Sequence, residues 1–317
     1  MKFPFNLRAD LTFHVVGFGT NAVDYLIRVP HFPKFGSKIE VSEYSHGVGG
    51  EVASTMVGLS RLGLRTAYAG RFGGDSEGGL GLQSLTDEGV DSVYTEIIPD
   101  ARTQIAFIVI DELSGERTIM WQRDKRLGYT SQDAPVEVAA ICRVLHMTPH
   151  DVSACIQMAT VARENGVIVS LDIDNVFDGI NELLPLIDIC IASEEFSQKL
   201  LGASDHKTAL RKIANQYDCS VTGLTLGRAG SIILCEGEFI ETPGFDVPGV
   251  CVDTTGAGDA FRTGFLYGVL KGGTVEESAE MANAVAALKC RGLGARSSLP
   301  NTKELTEFLD QSRPTRS

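Results

Sequence analysis

Asp253-Thr254-Thr255-Gly256-Ala257-Gly258-Asp259 runs directly into Ala260-Phe261, and apolar positions continue beyond it at Phe265, Val269 and Leu270 with near-helical spacing. This pattern predicts a glycine turn opening a buried helix, with Gly264 and Gly268 admitting a close neighbour. A helix N-terminus offers N–H groups and a favourable dipole to an anion. The small residues Gly256, Ala257 and Gly258 let phosphate approach the peptide planes. Asp259 falls in the first turn, where a carboxylate can accept the proton of a hydroxyl that is being phosphorylated. The plain alternative is an acid that only complements the helix dipole, for about 0.5 kcal/mol. Asp253, a second carboxylate in the same run, adds weight to the catalytic reading, but spacing alone leaves both readings open.

Working outward, Thr225-Leu226-Gly227-Arg228-Ala229-Gly230 follows an apolar run and reads either as a plain turn or as a hydroxyl and open backbone beside a nucleotide. From Val144 on, short apolar runs (145–148, 167–172, 187–192, 221–226) alternate with polar helical stretches such as 153–165 and 207–217. Phe13 to Gly17 and Thr66 to Gly70 read as further core strands, and 51–62 and 76–88 as helices. The rhythm predicts an α/β fold with a doubly wound, mostly parallel sheet and helices on both faces. Val23–Val29, Ile39–Tyr44 and a hairpin at 103–110 and 116–121 do not fit that rhythm. They predict a small separate β-sheet, a lid built from 24–48 and 101–124 and inserted in a single domain spanning 1–317. The tail 310–317 is expected to be disordered.

Composition narrows the function. The chain has 317 residues, 43% hydrophobic and 22% charged, enough for a substantial core. No apolar run is long enough to cross a bilayer, and Met1 to Asp10 lacks the apolar segment of a signal peptide, so a cytoplasmic protein is expected. A net charge of −13 argues against nucleic-acid or anionic-membrane partners. The seven cysteines include no Cys-x-x-Cys pair and read as small buried hydrophobes.

The run from Asp253 through Gly264 resembles the C-terminal signature of the ribokinase-like (PfkB) carbohydrate kinases, and the resemblance extends over nearly the whole chain. Gly17 to Asp24 is similar to that family's first strand with its substrate-binding Asp, and Gly49-Gly50 to its N-terminal signature. Phe72-Gly73-Gly74-Asp75, Thr225-Leu226-Gly227 with Gly230, and Gly294 to Pro300 match as well. The resemblance implies ATP-dependent phosphoryl transfer to a hydroxyl of a small sugar or sugar-like acceptor. Asp259 would be the base, and the amides of Gly256, Ala257 and Gly258 the anion hole. Asp24, Gly49, Gly50, Glu51 and Ser54 would hold the acceptor, and Thr225, Gly227, Gly230 and Ser193 the nucleotide. It further implies Mg²⁺, a K⁺ site at Asp253, Thr255, Gly294 and Ser298, and a homodimer formed through the lid.

Two stretches depart from the family pattern. Glu51 and Ser54 stand where Asn is common, which points to altered acceptor contacts. Ser193-Glu194-Glu195-Phe196 replaces the Asn-x-x-Glu motif linked to Mg²⁺, leaving Glu194 and Glu195 as candidate metal residues. Arg123, Lys125 and Arg126 form a basic run that reads as a solvated surface in preference to a site for an anionic acceptor. Competing functions are a non-catalytic sugar or nucleotide sensor and a nucleoside kinase. A dinucleotide-dependent oxidoreductase is the third, suggested by Gly17-Phe18-Gly19-Thr20-Asn21-Ala22, but it would require a helix directly after that turn.

Overall fold

In the computed structural model, which describes residues 1–9, 11–202 and 205–312, Phe13–Phe18 (β1) is an inner strand, third from one edge, of a nine-stranded sheet. On one side β1 pairs in parallel with Thr66–Gly73 (β4), which pairs with the edge strand Thr95–Ile98 (β5). On the other it leads through Cys142–Met147 (β8), Ile168–Ile173 (β9) and Ile189–Ser193 (β10) to Val221–Thr225 (β11), all parallel. The antiparallel hairpin Ser231–Cys235 (β12) and Glu238–Thr242 (β13) completes the far edge. All six residues of β9 are buried, as expected for a parallel strand covered on both faces.

Alternation within the strands divides the core in two. Val15, Ile189 and Ile191 join an apolar cluster with Glu51–Arg61 (α1), Ser76–Asp87 (α2), Ala257–Leu270 (α7), Val275–Lys289 (α8) and Thr302–Ser312 (α9). Val16, Cys190 and Ala192 face the opposite way, toward Val152–Glu164 (α3), Ile180–Leu183 (α4), Glu194–Leu201 (α5) and His206–Tyr217 (α6). The doubly wound sheet expected from the strand–helix rhythm is therefore present. Helix α7 is buried at every residue from Ala260 to Leu270 and packs on α8 and α1. A β-carbon at Gly264 would come within 2.6 Å of Ala282 Cα, so the α7–α8 approach depends on its absence.

The small sheet is four-stranded. Ala22–Val29 (β2) lies between Glu43–Gly49 (β3), antiparallel to it, and Ile105–Asp111 (β6), parallel to it; Arg117–Gln122 (β7) pairs with β6. One expectation shifts here, because 39–42 is irregular and the strand begins only at Glu43. Arg28 pairs with Glu43, so residues before Ser42 would need a partner beyond Val29, where Pro30 and Pro33 end β2. The strand after Gly17–Ala22 is β2, not a helix, which removes the dinucleotide fingerprint. Helix α9 includes Asp310 to Ser312, so the expected disordered tail 310–317 is helical at its start; 313–317 lie outside the described residues.

Candidate active site

The turn entering α7 is shaped by Gly256, whose φ of 76° is the left-handed conformation that L side chains rarely adopt. Ala257 N–H donates to Thr254 O at 3.1 Å, so the turn itself uses that amide. Among the described residues no acceptor takes the N–H of Gly256 or Gly258. Two of the three amides expected to form an anion hole are thus available, at the positive end of a fully formed helix.

Asp259 is half-buried one residue further on. Thr263 Oγ1 donates to its carbonyl at 3.0 Å, and no described residue donates to its carboxylate. Burial, then the charge of Glu51, pushes this carboxyl well above the ordinary carboxylate range, with Arg262 opposing. A carboxylate that is close to other acids and lacks a protein donor gains affinity for a proton, as a general base near neutrality requires.

Two buried ion pairs brace the turn, and neither was expected from the sequence. Arg262, on the next turn of α7, reaches Asp172 Oδ1 at 2.6 Å and Ile191 O at 3.0 Å, fixing α7 to the carboxyl ends of β9 and β10. Lys289, the last residue of α8, donates to Asp253 O at 2.8 Å and lies 4.0 Å from Asp253 Oδ2, with both side chains fully buried. The available signal was a cation set within each apolar helix, which has no place on a buried face unless it is paired.

The residues expected to hold the acceptor lie where β2, β3 and α1 meet. Asp24, on β2, is 5% exposed and receives no hydrogen bond from a described residue. Burial raises its pKa to about 7 although Arg296 pulls the other way. A β-carbon at Gly49 would overlap the Asp24 carboxylate, which explains the glycine there. Glu51, at the start of α1, accepts from Thr20 Oγ1 at 3.2 Å and lies 3.2 Å from His150 Nε2. His150 in turn meets Trp121 of β7 and Phe177 edge-on, at ring separations of 5.9 and 5.2 Å. Lid and sheet therefore meet over Glu51. Gly50, the N-cap of α1, packs on Asn21 and Ala22.

Ser54, expected to hold the acceptor, is engaged by a protein side chain. It is buried and accepts from Arg296 Nε at 3.1 Å, while Arg296 also donates to Ser84 Oγ at 3.2 Å and to Gly49 O. Its place on the helix turns it under the glycine strand, so it supports Gly49 from behind. Arg123, half-buried, grips both oxygens of Asp151 at 2.9 and 2.7 Å, and Arg126 pairs with Asp124 at 2.5 Å. Of the basic run, Arg123 and Arg126 are committed to these partners.

At the nucleotide end, Ser193 and Thr225 are register partners at the carboxyl ends of β10 and β11, and Thr225 also pairs with Ser231. Gly227 adopts φ 56° in open space, whereas Gly230 packs against the end of β13. These four residues come together, as expected for ligands bound beyond the carboxyl ends of a parallel sheet. Glu194 and Glu195 do not converge as metal ligands. Glu194 pairs with His206 of α6 at 3.0 Å, and the exposed Glu195 with Lys199 along α5 at 3.5 Å. Successive helical residues diverge by about 100° around the axis, so a single site would take one of the two, as the expectation of Glu194 or Glu195 allows.

The K⁺ set also fails to fit. Asp253 Oδ1 and Oδ2 accept from Thr255 N and Gly294 N, each at 2.8 Å, and the Lys289 ammonium already lies beside them. Ser298 Oγ lies against Gly292 and makes no recorded bond to Asp253. Of the expected donors only Thr255 Oγ1 is buried without a partner. A metal ion here would share its site with an ammonium group.

Free glycine amides beside a carboxylate without a protein donor, at the carboxyl edge of a doubly wound sheet, are the features a small-molecule phosphotransferase would require. The sequence comparison agrees, since residues 13–302 match the pfkB family carbohydrate kinase model, and the chain belongs to that family. It is 28% identical to a ribokinase of Haemophilus influenzae over 299 residues, covering 92% of this chain and 97% of the relative. It is 30% identical to an Escherichia coli fructokinase, over 81% and 90% of the two chains. The structure of an Arabidopsis thaliana ribokinase complexed with ribose and ATP superposes with a TM-score of 0.80 at 26% identity, covering 94% of this chain and 98% of that one. The protein is an ATP-dependent carbohydrate kinase, and among the described residues no helix is long and apolar enough to cross a membrane.

Proposed function

We propose that this kinase phosphorylates a hydroxyl of a neutral, hydroxyl-rich sugar or sugar-like acceptor, with Asp259 as the base. The observation that carries the reading is the Asp259 carboxylate, without a protein donor, beside the free amides of Gly256 and Gly258. In this reaction Asp259 takes the proton from the acceptor hydroxyl, whose oxygen forms a bond to the γ-phosphorus of ATP. The bond from that phosphorus to the β–γ bridging oxygen breaks, and ADP departs. The two amides and the α7 dipole stabilise charge on the transferring group. Mg²⁺ bound to the nucleotide phosphates would supply further charge neutralisation.

Electrostatics favour a neutral acceptor. Asp24, Glu51 and Asp259 surround the place where it would sit, while Arg123, Arg262, Arg296 and Lys289 are each engaged by protein acceptors. An anionic sugar acid or sugar phosphate would meet these carboxylates with none of those four cations free to balance it, whereas Asp24 and Glu51 can accept from hydroxyls. The test is ADP release over a panel of neutral sugars, polyols, sugar acids, sugar phosphates and nucleosides. Turnover confined to anionic acceptors overturns the neutral reading; nucleosides as the best acceptors replace it with a nucleoside kinase. Absence of ADP release with every acceptor of the panel supports a non-catalytic sensor.

The four-stranded sheet acts as a lid that excludes water, a competing acceptor, from the transfer. Its outer face carries exposed Tyr44, Phe107 and Met120 around Tyr25, and this apolar face supports a homodimer formed through the lid. Phe107→Asp is expected to shift the mass from dimer to monomer in light scattering; an unchanged dimer would show that the subunits pair elsewhere. Work in the cytoplasm, where ATP is available, fits this activity.

A further inference from the structure

Beneath the anion-hole turn, three separate segments converge on one buried charge. Asp253 precedes the turn, and its carboxylate accepts from Thr255 N within the turn and from Gly294 N in the loop before α9. Lys289 arrives from the end of α8 and donates to Asp253 O at 2.8 Å. Gly256 packs on the same loop, since a β-carbon there would come within 2.9 Å of Ala295 Cα. Anything that neutralises Asp253 therefore also fixes how the turn and the 294–295 loop sit together. Both ionic side chains are fully buried, so solvent supplies no counter-charge.

A bare carboxylate in such a place requires a cation. The residues that would cage a metal ion are engaged otherwise: both Asp253 oxygens hold N–H donors and its carbonyl holds an ammonium. We propose that the Lys289 ammonium is the permanent counter-cation behind the anion hole and occupies the role of a monovalent metal ion, so that this kinase does not depend on K⁺. The inference rests on the kinase reading for its catalytic consequence alone; the cation site itself is defined by Asp253, Thr255, Gly294 and Lys289. Lys289 touches none of the reacting atoms and is a positioning residue, setting the attitude of Gly256 and Gly258 through Asp253.

The experiment compares the wild type, Lys289→Ala and Lys289→Met in choline, sodium and potassium chloride at equal ionic strength. Melting temperature is read first and, where an acceptor has been found, kcat with it. Wild-type melting temperature is expected to agree within about 1 °C across the three salts, and its kcat within about twofold. Lys289→Ala, which opens space and leaves Asp253 unpaired, is expected to melt lower in choline and to regain several degrees in potassium, because a ligand bound only by the native state stabilises it. Its kcat is expected to fall at least tenfold and to recover in part with K⁺. Lys289→Met, which fills the space without charge, is expected to show the loss without the rescue. Potassium stabilisation or more than fivefold activation of the wild type overturns the proposal, as does a Lys289→Ala variant that responds no differently to potassium and choline. If the variants do not fold, the wild-type salt response decides alone. Failure of the kinase reading shows instead as absent ADP release in every salt, with the melting comparison still decisive.

Discussion

The proposed phosphoryl-transfer end and the proposed acceptor end of this site are built in opposite ways. The transfer end is nearly contiguous in the chain, with Gly256, Gly258, Asp259 and Arg262 lying within two turns of the start of α7. Its donors are backbone amides, and its charges are braced from behind by Asp172 and Asp253. At the acceptor end Asp24, Gly49, Glu51, Trp121, His150 and Phe177 come from five separate segments, and the side chains carry the chemistry. Backbone amides recognise a phosphate whatever it is transferred to, so the turn can serve any hydroxyl; side-chain carboxylates decide which hydroxyl arrives.

The comparison breaks most sharply at Asp259. Asp259→Asn retains the shape and removes the base, and kcat is expected to fall by about 10³-fold or more while ATP affinity, measured by calorimetry, stays within a few-fold. Turnover near the wild-type rate would remove Asp259 from the mechanism. Asp24→Ala acts at the other end, where the expected loss is about 10²-fold in kcat/KM through lost acceptor hydrogen bonds, with ATP affinity again retained. An equal loss of ATP binding in both variants would show that the two ends are not separable.

Proton linkage sharpens the same contrast. The folded-state pKa values of Asp24 and Asp259 lie above those of the unfolded chain, Asp24 at about 7. The folded protein therefore holds these protons more tightly, and their contribution to stability is fully present below the ordinary carboxylate range and lost as pH rises toward 7. Asp24→Asn is expected to raise the melting temperature by on the order of 2–5 °C at pH 8, with the gain vanishing near pH 4. A gain of equal size at both pH values would refute the linkage. Activity runs the other way, because a base must be deprotonated: kcat is expected to rise with pH as Asp259 ionises, and a flat profile from pH 5 to 8 would exclude it as the titrating base. The smallest effect belongs to Glu195, whose one partner among the described residues is Lys199. Glu195→Ala is expected to leave kcat and the Mg²⁺ requirement within about twofold of the wild type, and a large shift in Mg²⁺ dependence would restore it as a metal residue.

Much of this was legible from residues near one another in the chain. Strand–helix alternation announced the doubly wound sheet, and the glycine turn running into an apolar stripe announced α7. Those signals survive because parallel strands buried on both faces and a buried helix each impose a local period. The pairing that moved β3 from 39–44 to 43–49 was not legible, since it depends on where β2 stops. Nor was the fate of Ser54, because the guanidinium behind it belongs to Arg296, far along the chain.

The sequence by itself therefore determined that this chain transfers a phosphoryl group, through a resemblance to the ribokinase-like kinases that runs along nearly the whole chain, while the turn taken alone left the catalytic and the plain reading open. Only the tertiary structure decided what surrounds that turn. It brought Lys289 beneath Asp253, Arg262 against Asp172 and His150 against Glu51, and it tied Arg123 to Asp151. Each of these is an electrostatic pairing between distant residues, and the energy of a charge depends on the neighbours and the burial that folding supplies.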